Sequence, residues 1–504
     1  MDDCRYEYLV RRFELDAHHN PATFRSKVLL VSSLAYVALA LVLLLVIALG
    51  FTAFHWLRDS RNVWVMVHLG LFALFLTGLL YTVLRAFLTR LSPPEGREIT
   101  RADAPKLFEL IDRIQHKQKG PPLHRVVVDR SFNAAIAQVP RFGLFGGHRN
   151  HLILGLPYLY AMAPREMAAT LAHEYGHLSG AHGKLGAWVY RQRLTFGALM
   201  DKVSGSEGNW LDSLLHSGLR RFAPYFNAYT FVLSRQDEYQ ADAAAGRTVG
   251  HAAAGAGLCR GELLADWIDD AFWPRLYAQA AHHPKPLFPP YSSMRTAFSA
   301  SHLDWCNQER LQAALLRKSS LNDTHPCLRD RLEALEVPAV LPAPVEKSAA
   351  EALLGSFAHT LAKEFDQAWW EEEKSAWLTH HREQRDSRQR IAELSPRPLQ
   401  SLSPFELQEY GGALANCDRA TEALPVFKHL LQRPDGPFPR ARMHYGRLLM
   451  EAGDVRGLDE LAQAAIEDRS LAERCLQHGY VYLCRKEGEE EAGRWAEALT
   501  ARLG

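Results

Sequence analysis

The chain has 504 residues, which is enough for two or three folded units, and 47% of them are hydrophobic, which allows a large core. Its 58 basic and 57 acidic side chains give a formal net charge of +1, so nucleic acid is not expected as a partner. The seven cysteines are odd in number and form no CxxC pair, a pattern that favours a reducing compartment over a disulfide framework.

Two long apolar runs follow a mostly polar amino-terminal segment, residues 1–27. Residues 28–54 carry no charged side chain, residues 63–84 are equally apolar, and each run exceeds the roughly 20 residues that cross a bilayer as a helix. A cleaved signal peptide fits less well because the first run is too long for one, and a pair of buried core helices is the other alternative. We expect residues 28–84 to form a transmembrane helical hairpin in the lipid bilayer.

Basic residues are concentrated before the first run and after the second, whereas the loop between the runs holds only Arg58 and Arg61. By the positive-inside rule, both ends of the hairpin face the cytoplasm. The sequence therefore predicts an integral membrane protein with both termini, and everything after residue 85, in the cytoplasm.

Beyond the hairpin, the sequence predicts one helix and then a small antiparallel sheet. Residues 104–118 have the apolar stripe of an amphipathic helix, and three short β-type runs follow, with glycine turns between the last two. The β-type runs are residues 124–130, 132–139 and 150–156. Pro164 then opens a helix that continues to residue 182. Further helices are predicted at residues 184–203, 210–221 and 225–247, the last two separated at Pro224.

The carboxy-terminal part of the chain has the pattern of a helical repeat. From about residue 404 onward helical segments follow one another, and Tyr410, Tyr445 and Tyr480 recur at intervals of 35. This spacing predicts stacked helix pairs similar to tetratricopeptide repeats, although the alanine and glycine positions of that repeat match poorly. An irregular helical solenoid is the alternative. Either surface would bind peptides or protein partners.

The stretch LAHEYGHLSGAH, residues 171–182, contains the pattern HExxH. On a helix, His173 and His177 project from one face and can bind one zinc ion, while Glu174 lies beside the metal. That is the position of a general base for a zinc-activated water. The pattern also occurs by chance, so it needs support from the rest of the chain. A catalytic zinc needs three protein ligands, so a third ligand must exist.

The third ligand is predicted in SRQDEYQADAAAG, residues 234–246. Glu238 and Asp242 stand one helical turn apart on one face, which suits a carboxylate ligand and a second carboxylate that orients a zinc histidine. The alternative is a solvated charged face. His182 is a weaker candidate for the metal, because it comes one residue too early for the HExxHxxGxxH pattern of another zinc-peptidase class.

These segments resemble the M48 family of membrane zinc metalloproteases, which includes HtpX-type quality-control proteases and the CAAX prenyl protease. The resemblance covers about residues 100–336, and the hairpin is similar to that of the HtpX type. The matching motifs are NAxxA at Asn133 to Ala137, AHExGH with a histidine five residues on at Ala172 to His182, SRxxEYxAD at Ser234 to Asp242 and THPxLxxRLxAL at Thr324 to Leu335.

The resemblance implies a role for each of these residues. His173, His177 and Glu238 would bind one zinc ion per subunit, Glu174 would be the general base, and Asp242 the second carboxylate. An edge strand with Asn133, Ala134 and Ala137 would pair with an extended protein or peptide substrate. His325 would contact the oxyanion or the substrate. Equally, the Thr-His-Pro sequence around His325 would simply open a helix.

The predicted fold is α+β and mostly α, with an N-terminal transmembrane helical hairpin, a gluzincin-type protease domain with a small antiparallel sheet, and a C-terminal α-helical repeat region. The predicted domains are a cytosolic segment 1–27, two transmembrane helices within 28–84, a zinc peptidase domain 92–336, a proline-rich linker 337–347, a charged helical connector 350–395 and helical repeats 404–504.

The function predicted from these features is that of a membrane-anchored zinc endopeptidase that cleaves membrane or membrane-associated proteins. The repeats would recruit a protein partner or the substrate. The HtpX-like hairpin favours a bacterial inner membrane, although an endoplasmic-reticulum orientation gives the same charge bias. The alternative function is that of a membrane-tethered helical-repeat adaptor with a structural or inactive metal domain.

Overall fold

Helices dominate the structure, and one small sheet interrupts them. The computed structural model describes residues 3–59, 62–87, 93–140, 147–179, 189, 210–319 and 325–503. The chain divides into two compact units. Unit 1 comprises Met1–Phe272 and Pro289–Ala368, and unit 2 comprises Trp273–Phe288 and Trp369–Gly504.

The sheet belongs to unit 1. Its strands are β1 (Arg97–Glu98), β2 (Arg125–Asp129), β3 (Ala134–Pro140) and β4 (His148–Gly155). They are arranged in the order β1-β2-β4-β3, with β4 parallel to β2 and antiparallel to β3. The sheet is therefore mixed, and the predicted purely antiparallel sheet is corrected in this respect. The strand β4 runs antiparallel to β3, which precedes it in the chain, and lies between β2 and β3. This arrangement leaves β3 at the edge.

Helices of very different length precede the sheet, lie between β1 and β2, and follow the sheet in the chain. In chain order they are α1 (Asp3–His19), α2 (Pro21–Asp59), α3 (Val63–Phe87), α4 (Pro105–Gln118), α5 (Leu156–Ala161), α6 (Pro164–Leu178), α7 (Trp210–Val249), α8 (His251–Trp267), α9 (Trp273–Ala278), α10 (Pro290–Ala300), α11 (His302–Trp305), α12 (Gln308–Leu316), α13 (Leu328–Ala334), α14 (Ala349–Leu353) and α15 (Phe357–Leu394). By the bounds of the units, α9 belongs to unit 2, and α15 begins in unit 1 and continues into unit 2.

The helix α7 runs through Pro224, where the sequence pattern separated two helices. A proline removes one backbone hydrogen bond, and the hydrogen bonds on either side of it can keep a long helix continuous. The helix predicted at residues 184–203 lies outside the described residues except for Val189.

Among the described residues, no helix is long and apolar enough to cross a bilayer. The predicted transmembrane hairpin of residues 28–84 is therefore wrong, as is the integral-membrane location inferred from it. Residues 28–54 lie within α2, which begins at Pro21 instead of at the apolar run. Phe24 and Val28 are fully buried in a cluster with side chains of α1 and α7. The first part of α2, including the start of the apolar run, is thus buried in a core that it shares with α1 and α7.

The core of unit 1 also includes the sheet and the helix that carries the HExxH pattern. Leu107 of α4, Val127 of β2, Leu152 of β4 and Leu171 of α6 are all fully buried. The helix α6 packs against α4, α7 and α8. It is therefore held from several sides.

Unit 2 ends in three consecutive helix pairs. They are α16 (Pro404–Asn416) with α17 (Ala420–Leu431), α18 (Pro439–Glu451) with α19 (Gly457–Glu467), and α20 (Ala472–Lys486) with α21 (Glu489–Leu503). Neighbouring pairs pack on each other through α17 with α18 and through α19 with α20. The three tyrosines spaced at 35 residues fall in the first helix of each pair. Tetratricopeptide identity stays a prediction.

Candidate metal centre

The helices α6 and α7 cross closely at Gly176. A Cβ atom at this position would lie 2.8 Å from the Cα atom of Ala241, so the crossing requires glycine on α6 and a small residue on α7. At its other end α6 is fixed by Glu166, whose carboxylate accepts the N–H of Ala163 at 2.8 Å. The crossing brings the histidines of α6 next to Glu238 of α7.

His173, His177 and Glu238 form a cluster of three metal-ligating side chains. The Nε2 atoms of the two histidines are 3.2 Å apart. Oε2 of Glu238 lies 3.6 Å from Nε2 of His173, and Oε1 of Glu238 lies 3.3 Å from Nε2 of His177. Tetrahedral bonds of 2.0–2.1 Å to zinc would place neighbouring ligand atoms roughly 3.3 Å apart. The three side chains therefore have the spacing of ligands around one metal ion of the size of zinc.

A buried chain of hydrogen bonds fixes the ring of His173. Its Nδ1–H donates to Oδ1 of Asp242 at 2.8 Å, which leaves Nε2 free to bind a metal. The guanidinium of Arg331 donates two bonds to the same carboxylate, at 2.8 and 2.7 Å. Burial acts to raise the pKa of Asp242, but these bonds from Arg331 and His173 hold it below its usual range. Asp242 is therefore a carboxylate that orients the histidine.

Glu238 is held in a similar way by its neighbours. His325 donates from Nδ1 to Oε2 of Glu238 at 2.9 Å, although the His325 side chain is 60% exposed. Burial acts to raise the pKa of Glu238, but the bonds from His177 and His325 hold it well below its usual range. Burial also acts to lower the pKa of His177, and the Glu238 carboxylate reverses this and raises the pKa to about 9. Glu238 is thus ionised, as a metal ligand must be.

Glu174 follows His173 on α6 and contacts the edge of the sheet. Its Oε2 accepts the backbone N–H of Ile136 in β3 at 3.1 Å. The carbonyl of Asn133 accepts from Gly155 of β4, so the alternation along β3 turns Ala134 and Ile136 toward the free edge. The carboxylate of Glu174 therefore lies at the edge where an added strand would pair.

Comparison with known proteins gives one family. Residues 141–339 match the model of Peptidase family M48. The match includes His173, Glu174, His177, Glu238 and Asp242, so the segment that carries them is similar to the peptidases of this family. No curated protein matches the chain. The M48 segment ends before unit 2's helix pairs, and it begins after the strand with Asn133, Ala134 and Ala137.

A cavity of about 530 Å³ lies beside the candidate metal centre of the M48 segment. Its lining includes His173 and Glu174 together with apolar side chains such as Phe132 and Leu258. Its size falls in the range of cavities that accept small ligands or substrate side chains. The candidate base thus faces a space that could hold part of a substrate.

Three contacts of the site were missed by reasoning from sequence. Arg331 belongs to the quoted THPxLxxRLxAL motif, but its pairing with Asp242 depends on the packing of α13 near α7. The contact of Ile136 with Glu174 uses a backbone N–H, for which no side-chain signal exists. His325 contacts the carboxylate of Glu238, a partner that neither interpretation of it had named, and α13 begins only at Leu328. His182 and Thr324 lie outside the described residues.

Proposed function

We propose that the chain is a zinc-dependent endopeptidase that uses Glu174 as its general base. The observation that carries the proposal is the separation of 3.2 to 3.6 Å among the ligand atoms of His173, His177 and Glu238. These separations match the edges of a zinc tetrahedron, and Glu174 lies beside the cluster without belonging to it. A purely structural site would not need that carboxylate.

Zinc in this site would act as a Lewis acid on the scissile carbonyl and on the attacking water. Glu174 would take the proton from this water and transfer it to the departing amine nitrogen. The N–H of Ile136 holds the Glu174 carboxylate toward the strand edge while it does so. No covalent intermediate with the protein is required.

The substrate would bind as an extended strand along β3. The N–H and C=O groups of Ala134 and the C=O group of Ile136 face the free edge and would pair with an added strand, while the Ile136 N–H stays with Glu174. The side chain of Asn133 already accepts the Ala134 N–H at 2.8 Å, so an incoming peptide would have to replace this contact. The proposed substrate strand is the segment that contains Asn133, Ala134 and Ala137, and Ala134 is the member of this set whose backbone groups face the free edge.

Two further residues would support the reaction. Arg331 would keep Asp242 ionised and oriented, and thereby the ring of His173. His325 would hold Glu238, and its exposed ring could also reach a bound substrate. Because its Nδ1–H is committed to Glu238, a contact with an oxyanion would need a proton on Nε2 as well.

The helix pairs of unit 2 are proposed to recruit a protein substrate or partner, which is the common use of stacked helix pairs. The predicted preference for membrane-associated proteins depended on the transmembrane hairpin and is not carried forward. The proposed substrate class is therefore polypeptide in extended conformation.

The test is the variant Glu174→Gln, assayed for cleavage of unfolded casein and for bound zinc by elemental analysis. We expect zinc content near that of the wild type and a loss of activity of about 10²- to 10⁴-fold, because only the base is removed. Glu109→Gln, which changes an exposed glutamate of α4 in the same unit, is the matched control and should keep full activity. Wild-type activity in Glu174→Gln, or a wild-type protein that binds no zinc, would refute the proposal.

A further inference from the structure

The amino-terminal helix α1 packs on α7 just ahead of the metal ligand that α7 carries. Val10, Phe13 and Ala17 of α1 are buried in one cluster with Phe231 and Val232 of α7. The ring of Phe13 stacks on that of Tyr229, with 3.8 Å between the ring centroids. The contact is thus an extended apolar interface within unit 1.

Two polar contacts extend this interface toward the candidate metal centre. Arg235 of α7 forms an ion pair with Glu14 of α1, and its guanidinium lies over the ring of Phe231 at 4.4 Å from the centroid. The side-chain amide of Gln236 donates to the carbonyl of Ala17 at 3.3 Å. Both α7 residues lie within one helical turn of Glu238, so α1 holds the stretch of α7 that leads directly into the ligand.

The same helix α7 is also held by α6. Gly176 lets the two helices approach until a Cβ atom would meet Ala241, and this contact follows Glu238 by one turn. Glu238 is therefore placed between a contact with α1 on its amino-terminal side and a contact with α6 on its carboxy-terminal side. A metal site tolerates errors of only about 0.2 Å in its ligand distances.

We propose that α1 is a brace for the metal centre, and that Glu14 and Arg235 are positioning residues that act through Glu238. The brace fixes the position of α7 along α6 and thereby the separation of the Glu238 oxygens from the two histidine nitrogens. This inference rests on the proposed zinc site. It assigns to the amino-terminal segment a part in the peptidase that the M48 match, which begins at residue 141, does not include.

A purely structural role for α1 makes a different prediction. If α1 only added stability, removal of the Glu14 contact would lower the unfolding temperature of the metal-free and the zinc-bound protein equally and leave zinc affinity unchanged. If α1 is a brace, the metal-free protein changes little while zinc affinity falls, because the ligand is no longer held at the right distance. Zinc affinity therefore separates the two roles.

The experiment compares full-length Glu14→Gln and Arg235→Gln with the wild type by zinc titration against a competing chelator. We expect about a tenfold loss of zinc affinity in each variant, the lower end of the loss seen when partners of metal ligands are removed. The visible spectrum of the cobalt-substituted protein should shift as well, because it reports ligand geometry. Arg235→Lys keeps the charge and should recover most of the affinity.

The matched control is Glu7→Gln. Glu7 is the other glutamate of α1, and its ion pair with Arg11 lies on the exposed side within α1 itself. We expect no change in zinc affinity for this variant. Circular dichroism confirms that each variant is folded, and Glu14→Gln alters a side chain that is only partly buried.

The outcomes are distinguishable. A wild type that binds zinc tightly, together with Glu14→Gln and Arg235→Gln variants of equal affinity and unchanged cobalt spectrum, overturns the brace and leaves the proposed function intact. A wild type that binds no zinc overturns both.

Discussion

Unit 1 and the helix pairs of unit 2 differ in where they keep charged groups. In unit 1, Glu238 and Asp242 are almost completely buried, and each accepts hydrogen bonds from neighbouring cationic or histidine side chains. In the helix pairs, the described cores consist of side chains such as Leu414 and Phe427, and ion pairs such as Arg419 with Glu422 are exposed. Because buried charge is costly unless it is paired, its presence at the α6–α7 crossing indicates a requirement other than stability.

The largest expected effect is the loss of core packing in the helix pairs. Phe427 is fully buried and its ring faces Gly411, so Phe427→Ala should lower the free energy of unfolding of this region by about 3–5 kcal/mol. Hydrogen exchange of α16 to α18 measures the loss. Phe405→Ala, at an exposed phenylalanine of α16, is the matched control and should change little. Zinc affinity should be unchanged in Phe427→Ala. A fall in zinc affinity in this variant would show that the metal centre depends on the packing of the helix pairs.

A smaller effect, on zinc affinity, is expected from a change at the buried Asp242 of unit 1. Asp242→Asn removes the charge that pairs with Arg331 and orients His173, so zinc affinity should fall by about 10- to 100-fold. Competition with a chelator measures it. Asp112→Asn, which breaks an ion pair with Arg101 on the surface of the same unit, should leave zinc affinity unchanged. An unaltered affinity in Asp242→Asn would show that His173 needs no orienting partner.

Zinc affinity should also depend on pH through His177. Its pKa of about 9 without metal means that it is protonated at neutral pH, and zinc must displace that proton. Zinc affinity should therefore fall as the pH falls. Below pH 9, the proton on His177 alone should lower it by about tenfold for each pH unit. Titrations at two pH values, with the proton release measured in buffers of different ionisation enthalpy, test this. A flat profile without proton release would contradict it.

The smallest effect should come from an exposed ion pair of unit 2. The bond from Arg419 lowers the pKa of Glu422, yet both side chains are open to solvent, where water screens the attraction. Glu422→Gln should therefore leave the unfolding temperature unchanged within error in a calorimetric scan. A drop as large as that of Phe427→Ala would contradict the expectation that this exposed ion pair adds little to stability.

Local patterns in the sequence were sufficient for much of the site. A spacing of four residues places His173 and His177 on one helical face wherever that helix packs, and the same holds for Glu238 and Asp242. The tyrosine spacing likewise marked the first helix of each pair in unit 2. The apolar runs led to a wrong prediction of transmembrane helices. An apolar composition does not distinguish a helix in lipid from a helix such as α2, whose first turns at Phe24 and Val28 are buried in a protein core.

The sequence by itself determined which side chains share a helical face, since that depends only on the 3.6-residue period of the helix. Tertiary structure decided the rest. It placed β4 between β2 and β3, brought the Ile136 N–H to Glu174, paired Arg331 with Asp242 and packed α1 beside the ligand helix. Each of these contacts joins different elements of the chain, and two of them, the strand pairing of β4 and the Ile136 contact, use backbone groups. No local period or motif encodes such contacts, because they depend on how whole elements pack.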